Sequence, residues 1–196
     1  MNIYLLRHGE TKENKEKKYY GKLDSRLNSI GINQAKKAGE YLKNIKFSKV
    51  YISERERCKE TFKIAFENKG NEEFEIIKDA RINELDFGEF EGKSYKEIKK
   101  RYPKECTQWE DDWKGFTPPK GESAVNFFKR VKSFMKDIEK LDEENILIVT
   151  HGGVIKMIYC YMLDRNLDLY WKFSTKNGRV SLIKYEYSNW FIDYIS

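Results

Sequence analysis

Histidine is nearly absent from this chain: 196 residues contain two, His8 and His151. With so few, there is no metal-ligand cluster and no His-Glu-x-x-His pattern, and no Walker-type loop accompanies them. No metal and no cofactor are therefore implied. Cysteine is also scarce. Cys58, Cys106 and Cys160 are odd in number and lack C-x-x-C spacing, which argues against both a disulfide framework and a structural zinc site. Long apolar runs are missing too. The N-terminus offers only Ile3 to Leu6 before Arg7 and His8 interrupt it, too short for a signal peptide. No later stretch approaches the ~20 apolar residues a membrane helix needs, so no membrane association is expected and a reducing cytoplasm is the expected setting.

What is present fits one ordered domain over residues 1–196. Hydrophobic residues make up 39% and aromatics 15%, enough for a sizeable core. Charged residues reach 36% with a net charge of +6, spread along the chain rather than gathered in a tail. A basic surplus favours anionic ligands of every kind, but a solvated lysine-rich surface explains it equally, and no nucleic-acid partner is expected from it. The oligomeric state is left open, with a homodimer among the options.

Apolar β-type runs occur at Ile3 to Leu6, Val50 to Ile52, Phe74 to Ile77 and Ile146 to Val149, as suits strands buried on both faces of a parallel sheet. Helical stripes fill the gaps. One holds Ile32, Ala35, Ala38, Leu42 and Ile45, and another holds Cys58, Phe62 and Ala65. The longest runs from Ala124 through Phe127, Phe128, Val131, Phe134 and Met135 to Ile138, with Ser123 as N-cap. A further helix is expected from about Val154 to Leu163, then a strand pair turning around Ser188-Asn189. Strands alternating with helices predict an α/β sandwich with helices on both faces. The stretch of about 79–121 breaks this pattern. It contains all three prolines together with Trp109, Trp113 and Phe116, and Ser94 caps a local helix to Arg101. Such a segment reads as a lid. Its aromatic residues either face an aromatic leaving group or, more plainly, pack the lid onto the body.

Each histidine directly follows a buried-strand pattern and precedes a glycine. In an open parallel sheet, ligands bind outside the carboxyl ends of the strands, so these two distant residues are expected to face one pocket. Arg7 beside His8 supplies the bidentate, permanently charged donor that phosphate recognition needs. Gly9 permits close backbone approach, and Asn14 can donate through its amide.

These residues extend into five ordered blocks. They are Leu6-Arg7-His8-Gly9-Glu10-Thr11 with Asn14, then Leu27 to Ala35, then Tyr51-Ile52-Ser53 with Arg57 and Thr61, then Asn83 to Gly88, and Val149-Thr150-His151-Gly152-Gly153. In these blocks the chain resembles the histidine phosphatase superfamily, also called phosphoglycerate mutase-like. The resemblance implies a three-layer α/β/α sandwich with a mostly parallel central sheet and a lid insertion. It implies a metal-independent phosphomonoesterase for a small phosphate ester, with His8 as the nucleophile that carries the phosphoryl group. Arg7, Asn14, Arg57 and His151 would bind the phosphoryl oxygens, and Glu84 would protonate the leaving group. Glu10 and Thr11 would support the loop.

The run Phe87 to Gly92, Asn177-Gly178 and the run Pro118 to Ser123 bring the chain nearest to the α-ribazole phosphatase branch, and so to α-ribazole 5′-phosphate. Lys120 departs from that branch, whose usual form carries glycine there. Two alternatives stay open: an isomerase of the phosphoglycerate mutase type, and an inert phosphatase-like binding protein.

Overall fold

The computed structural model describes residues 1–67 and 74–195. Along the chain run β1 (Asn2–Arg7), α1 (Lys12–Lys15), β2 (Lys18–Tyr19), α2 (Ser29–Leu42), β3 (Lys49–Ile52), α3 (Glu56–Ala65) and β4 (Glu75–Lys78). They are followed by β5 (Lys93–Ser94), α4 (Tyr95–Arg101), α5 (Pro103–Asp111), α6 (Ala124–Ile138), β6 (Asn145–Thr150), α7 (Gly152–Met162), β7 (Val180–Glu186) and β8 (Asn189–Tyr194). Short 3-10 turns lie at Ala80–Ile82, Gly88–Phe90 and Leu167–Lys172. Among the described residues, no helix is long and apolar enough to cross a membrane.

The main sheet has the order β4-β3-β6-β1-β7-β8, with β4, β3, β6 and β1 parallel and β7 and β8 antiparallel to their neighbours. Alternation along each strand sends successive side chains to opposite faces. Ile3, Leu5, Ile146 and Ile148 pack on one face against α6 and α7. Tyr4, Leu6, Leu147 and Val149 pack on the other against α2 and α3. Both faces are covered, which is why β1 and β6 read as continuous apolar runs. The result is the expected three-layer α/β/α sandwich around a mostly parallel sheet.

Several boundaries differ from the sequence expectation. The Phe74 to Ile77 run is not a strand buried on both faces, because β4 closes the sheet as an edge and Ile76 is 50% exposed. Helix α2 ends at Leu42, and Ile45 follows on a turn. Helix α7 begins at Gly152, two residues earlier than its apolar stripe, with His151 as its N-cap. The final hairpin turns on Tyr187 and Ser188, both at positive φ, the geometry that matches strand twist.

The segment 79–121 has a small core of its own. Phe90, Ile98 and Cys106 are buried in it, with Tyr19, Phe87, Tyr102, Trp109 and Phe116 packed around them. The ribbon of β2 and β5 joins it to the body. Ser94 caps α4 in a capping box with Glu97.

One feature of the sheet positions the site. Strands β1 and β6 are parallel neighbours with Arg7 in register with Thr150. The next residues, His8 and His151, therefore leave the sheet side by side.

Candidate active site

His8 and His151 are 2% and 0% exposed, with ring centroids 5.2 Å apart. His8 Nδ1 lies 2.7 Å from the Gly9 carbonyl oxygen. A carbonyl only accepts, so Nδ1 carries the proton and Nε2 keeps its lone pair. Gly9 is required here because a Cβ would sit 2.4 Å from the Gly31 carbonyl oxygen. Burial, followed by the charges of Arg57 and Arg7, pushes the His8 pKa well below the ordinary histidine value. The imidazole is thus neutral at neutral pH.

His151 is held at both nitrogens. Arg57 Nε donates to Nδ1 at 3.2 Å, so the ring proton is on Nε2, which donates to Ser53 Oγ at 2.7 Å. Ser53 in turn donates to Asn83 Oδ1 at 2.8 Å. Burial first, and then Arg57, holds the His151 pKa well below the usual value. The buried thiol of Cys58 lies 3.5 Å from Nε2, and burial pushes its pKa up to about 12.

Arg57 sits in the first turn of α3 and is fully buried. Besides His151 it donates through Nη2 to the Gly21 carbonyl at 2.9 Å and through Nη1 to the Leu23 carbonyl at 3.1 Å. Its guanidinium lies 4.5 Å over the ring of Tyr20. Three of its five N–H groups are thereby fixed by the protein, which sets its plane and leaves two for a ligand.

Arg7 is different. Its Nη1 donates to the Thr175 carbonyl at 2.7 Å, while its buried Nε has no hydrogen-bond partner. The side chain crosses the N-terminus of α7, where a Cβ on Gly152 would come within 3.2 Å of Nε. An orphaned buried donor of a cation at a helix N-terminus is arranged for an anion. Burial lowers the Arg7 pKa, and the charge of Glu84 opposes that.

Glu84 accepts from the Gly153 N–H at 3.0 Å and the Leu85 N–H at 3.0 Å. A Cβ on Gly153 would meet Glu84 Oε1 at 2.2 Å, so the second glycine of the pair admits the carboxylate. Arg130 fixes the backbone beneath it. Its guanidinium donates to the Arg81, Asn83 and Glu84 carbonyls and pairs with Glu122 at 2.9 Å. Asn14 uses Oδ1 to accept from Tyr20 Oη at 2.9 Å and Asn177 Nδ2 at 3.1 Å, which leaves Nδ2 as its donor end. Asn177 also donates to the His8 carbonyl at 3.0 Å. Glu10 accepts from Asn28 at 2.8 Å, and Thr11 caps α1, both as loop supports.

Every residue singled out in the sequence thus gathers at one end of the sheet. Tyr20, Asn177 and Arg130 join them without a sequence signal strong enough to place them there, although Asn177-Gly178 stood out as a motif. A cavity of about 370 Å³ adjoins Glu84, lined also by Arg55, Asn83, Asp86, Glu122 and Arg130. A larger one of about 840 Å³ runs between α2 and residues 175–180 and is lined by Arg7, Glu10 and Asn177. Glu84 thus reaches the smaller cavity and Arg7 the larger. Among the described residues, no group of three or more His, Cys, Asp or Glu side chains is placed to hold a metal ion.

The aromatic residues of the segment 79–121 divide. Trp109 and Phe116 stack with Phe90 inside the segment's own core, so they do not face a ligand. Trp113 instead meets Tyr170 at 5.5 Å and Trp171 at 5.6 Å, packing the segment against the body. Packing onto the body thus describes Trp113, while Trp109 and Phe116 build the interior of the segment itself.

A buried imidazole with a free Nε2 lone pair, a guanidinium whose Nε has no partner and a carboxylate stand together at this end of the sheet, a set of groups suited to phosphoryl chemistry. Comparison with known proteins gives the same class. The family model of the histidine phosphatase superfamily (branch 1) matches residues 3–196. Phosphoserine phosphatase 1 of Hydrogenobacter thermophilus is 29% identical over 95% of this chain and 87% of its own length. The adenosylcobalamin/alpha-ribazole phosphatase of Salmonella typhimurium is 29% identical over 93% and 90%. The crystal structure of the alpha-ribazole phosphatase from Shigella flexneri superposes with a TM-score of 0.92 at 26% identity, covering 100% of this chain and 96% of that one. The chain belongs to the histidine phosphatase superfamily, and it is a phosphatase, a phosphoric monoester hydrolase.

Proposed function

We propose that the chain hydrolyses a small phosphate monoester through a phosphohistidine at His8, with α-ribazole 5′-phosphate as substrate. His8 Nε2 attacks phosphorus, a P–N bond forms and the ester P–O bond breaks. Glu84 gives its proton to the departing alkoxide. Glu84 then takes a proton from water as that water attacks phosphorus, the P–N bond breaks and orthophosphate leaves. Arg7, Arg57, Asn14 and His151 stabilise the charge that gathers on the phosphoryl oxygens, each donor contributing about 3–4 kcal/mol at most. For His151 this requires Nε2 to exchange Ser53 for a phosphoryl oxygen. The segment 79–121 acts as the lid.

The observation that carries the reading is the His8 ring itself, pinned through Nδ1 to Gly9 and neutral beside the unpartnered Nε of Arg7. The named activities of two similarly related proteins support two substrates, α-ribazole 5′-phosphate and phosphoserine. The test is turnover compared across a panel of esters containing both, with 3-phosphoglycerate added to detect mutase activity. Highest kcat/KM on α-ribazole 5′-phosphate is expected. Preference for phosphoserine would reassign the substrate, and full turnover by His8→Ala would overturn the mechanism.

A further inference from the structure

Glu91 lies in the segment 79–121, seven residues after Glu84 and far along the chain from His8, Arg57 and His151, yet its carboxylate is the focus of an unusual set of bonds. It accepts from the backbone N–H groups of Gly21 at 2.9 Å, Lys22 at 3.1 Å, Leu23 at 2.9 Å and Phe87 at 3.0 Å. Hydrogen bonds to an ionised acceptor are roughly twice as strong as neutral ones. Four of them on one carboxylate fix the loop at residues 21–23 in place.

The carbonyls of the same loop point the other way, to Arg57. The peptide unit between Gly21 and Lys22 bonds Arg57 Nη2 through its oxygen and Glu91 through its N–H. One peptide therefore links an anion on one side to a buried cation on the other, with its dipole aligned between them. Leu23 adds a second link through two successive peptide units, its N–H on Glu91 and its carbonyl on Arg57 Nη1. Arg57 continues the relay through Nε to His151 Nδ1. Gly21 is the one residue type that fits, since a Cβ there would lie 1.7 Å from the Leu85 carbonyl oxygen.

We infer that Glu91 is the positioning residue of the phosphate site: by holding the 21–23 loop it fixes the plane of Arg57, and through Arg57 the tautomer of His151. The inference rests on the reading of Arg57 as a phosphoryl ligand. It explains why the Phe87 to Gly92 motif belongs to this chain although none of its side chains reaches the reacting centre.

The test is a double-mutant cycle on the full-length protein with p-nitrophenyl phosphate, reading kcat/KM, competitive inhibition by orthophosphate, and Tm. Glu91→Ala should lower kcat/KM on the order of 10²-fold, the scale of a misplaced catalytic group. Orthophosphate inhibition should weaken with it. Glu91→Gln keeps one acceptor oxygen and should fall between parent and Ala, and it replaces the Ala variant in the cycle if that one does not fold. In an Arg57→Ala background the Glu91 substitutions should cost almost nothing further, because their route is already cut. The same fold-loss in both backgrounds, or parental kcat/KM and phosphate inhibition in folded Glu91→Ala, overturns the inference. His8→Ala is the separate control. Should it retain turnover, the mechanism fails, while the coupling of residues 91 and 57 is still read from orthophosphate binding.

Discussion

The end of the sheet that holds His8 and the segment 79–121 above it are built on opposite plans. At the sheet end, polar side chains are buried and nearly all are held by backbone or by each other, as with His8 on Gly9 and Arg57 on Gly21 and Leu23. The segment above packs aromatic rings against one another around Phe90, and two of its carboxylates turn to the body, Glu84 onto the Gly153 N–H and Glu91 onto the loop at residues 21–23. The first plan tolerates no drift, because each polar group left unpaired in the interior costs about 1–3 kcal/mol. The second can exchange one ring for another of similar volume at modest cost. Relatives of equal similarity carry different named substrates, and in the function proposed above the phosphoryl group meets the sheet end while the leaving group meets the segment 79–121.

The largest test of the division removes the proposed nucleophile. His8→Ala should abolish turnover on every ester and, at the same time, the acid-labile phosphoprotein trapped by quenching during turnover. Glu84→Gln comes next. A good leaving group needs little protonation, so the loss should be on the order of 10²–10⁴-fold on an alkyl ester, the range of general acid catalysis, and much smaller on an aryl ester. Equal losses on both would remove Glu84 from the acid role.

The buried plan also predicts a pH dependence of stability. The folded pKa values of His8 and His151 are both lowered, so below the unfolded value near 6.5 the unfolded chain binds protons that the folded one refuses. Stability should be at its plateau above that value and fall as pH drops below it, by up to about 1.4 kcal/mol per unit for each ring. Urea midpoints at pH 7.5 and 5.5 measure this, and His8→Asn should flatten the slope.

Much of the centre was legible in the sequence because its residues sit where the chain makes its sharpest local statements. An apolar run ending in Arg7-His8-Gly9 and another ending in Thr150-His151-Gly152 mark strand ends, and only adjacency of β1 and β6 was needed to join them. The stripe of α6 was equally plain, and all seven of its apolar residues are buried. Tyr20, Glu91 and Arg130 were not legible. Glu91 and Arg130 act through backbone N–H and carbonyl groups some 46 to 70 positions away, which leave no trace in residue type, and Tyr20 acts through side-chain bonds to Thr11 and Asn14 that no motif marks. The exposed face of β4 was missed for a related reason: an apolar run does not say whether its strand has one neighbour or two.

Away from Glu84 and Glu91, changes in the segment 79–121 should be milder and of another kind. Trp113→Ala removes the ring that meets Tyr170 and Trp171, without touching a residue that bonds His8 or Arg57. It should raise KM severalfold for a bulky ester and leave inhibition by orthophosphate unchanged. A matching loss of phosphate inhibition would mean that the two plans are not separate.

The smallest expected effect concerns a backbone position. Lys120 has φ +60°, in a turn closed by Gly121 N–H on the Pro118 carbonyl, and its Nζ lies 2.9 Å from Glu89. A side chain with a Cβ is strained in this left-handed region, whereas glycine is not. Against that strain stands only an exposed ion pair, and exposed pairs contribute little. Glycine adds freedom to the unfolded chain, which offsets part of the relief. Lys120→Gly should therefore raise Tm by roughly 2 °C, the shift that about 1 kcal/mol produces in a chain of this size. Because the turn packs on Gly88, whose own φ is +52°, the substitution acts where the segment folds back on itself. Turnover should stay parental, since no residue of the turn bonds the phosphoryl site. A fall in Tm would show that the ion pair with Glu89 outweighs the backbone, and a fall in kcat would carry the buried plan further into the segment than its bonds indicate.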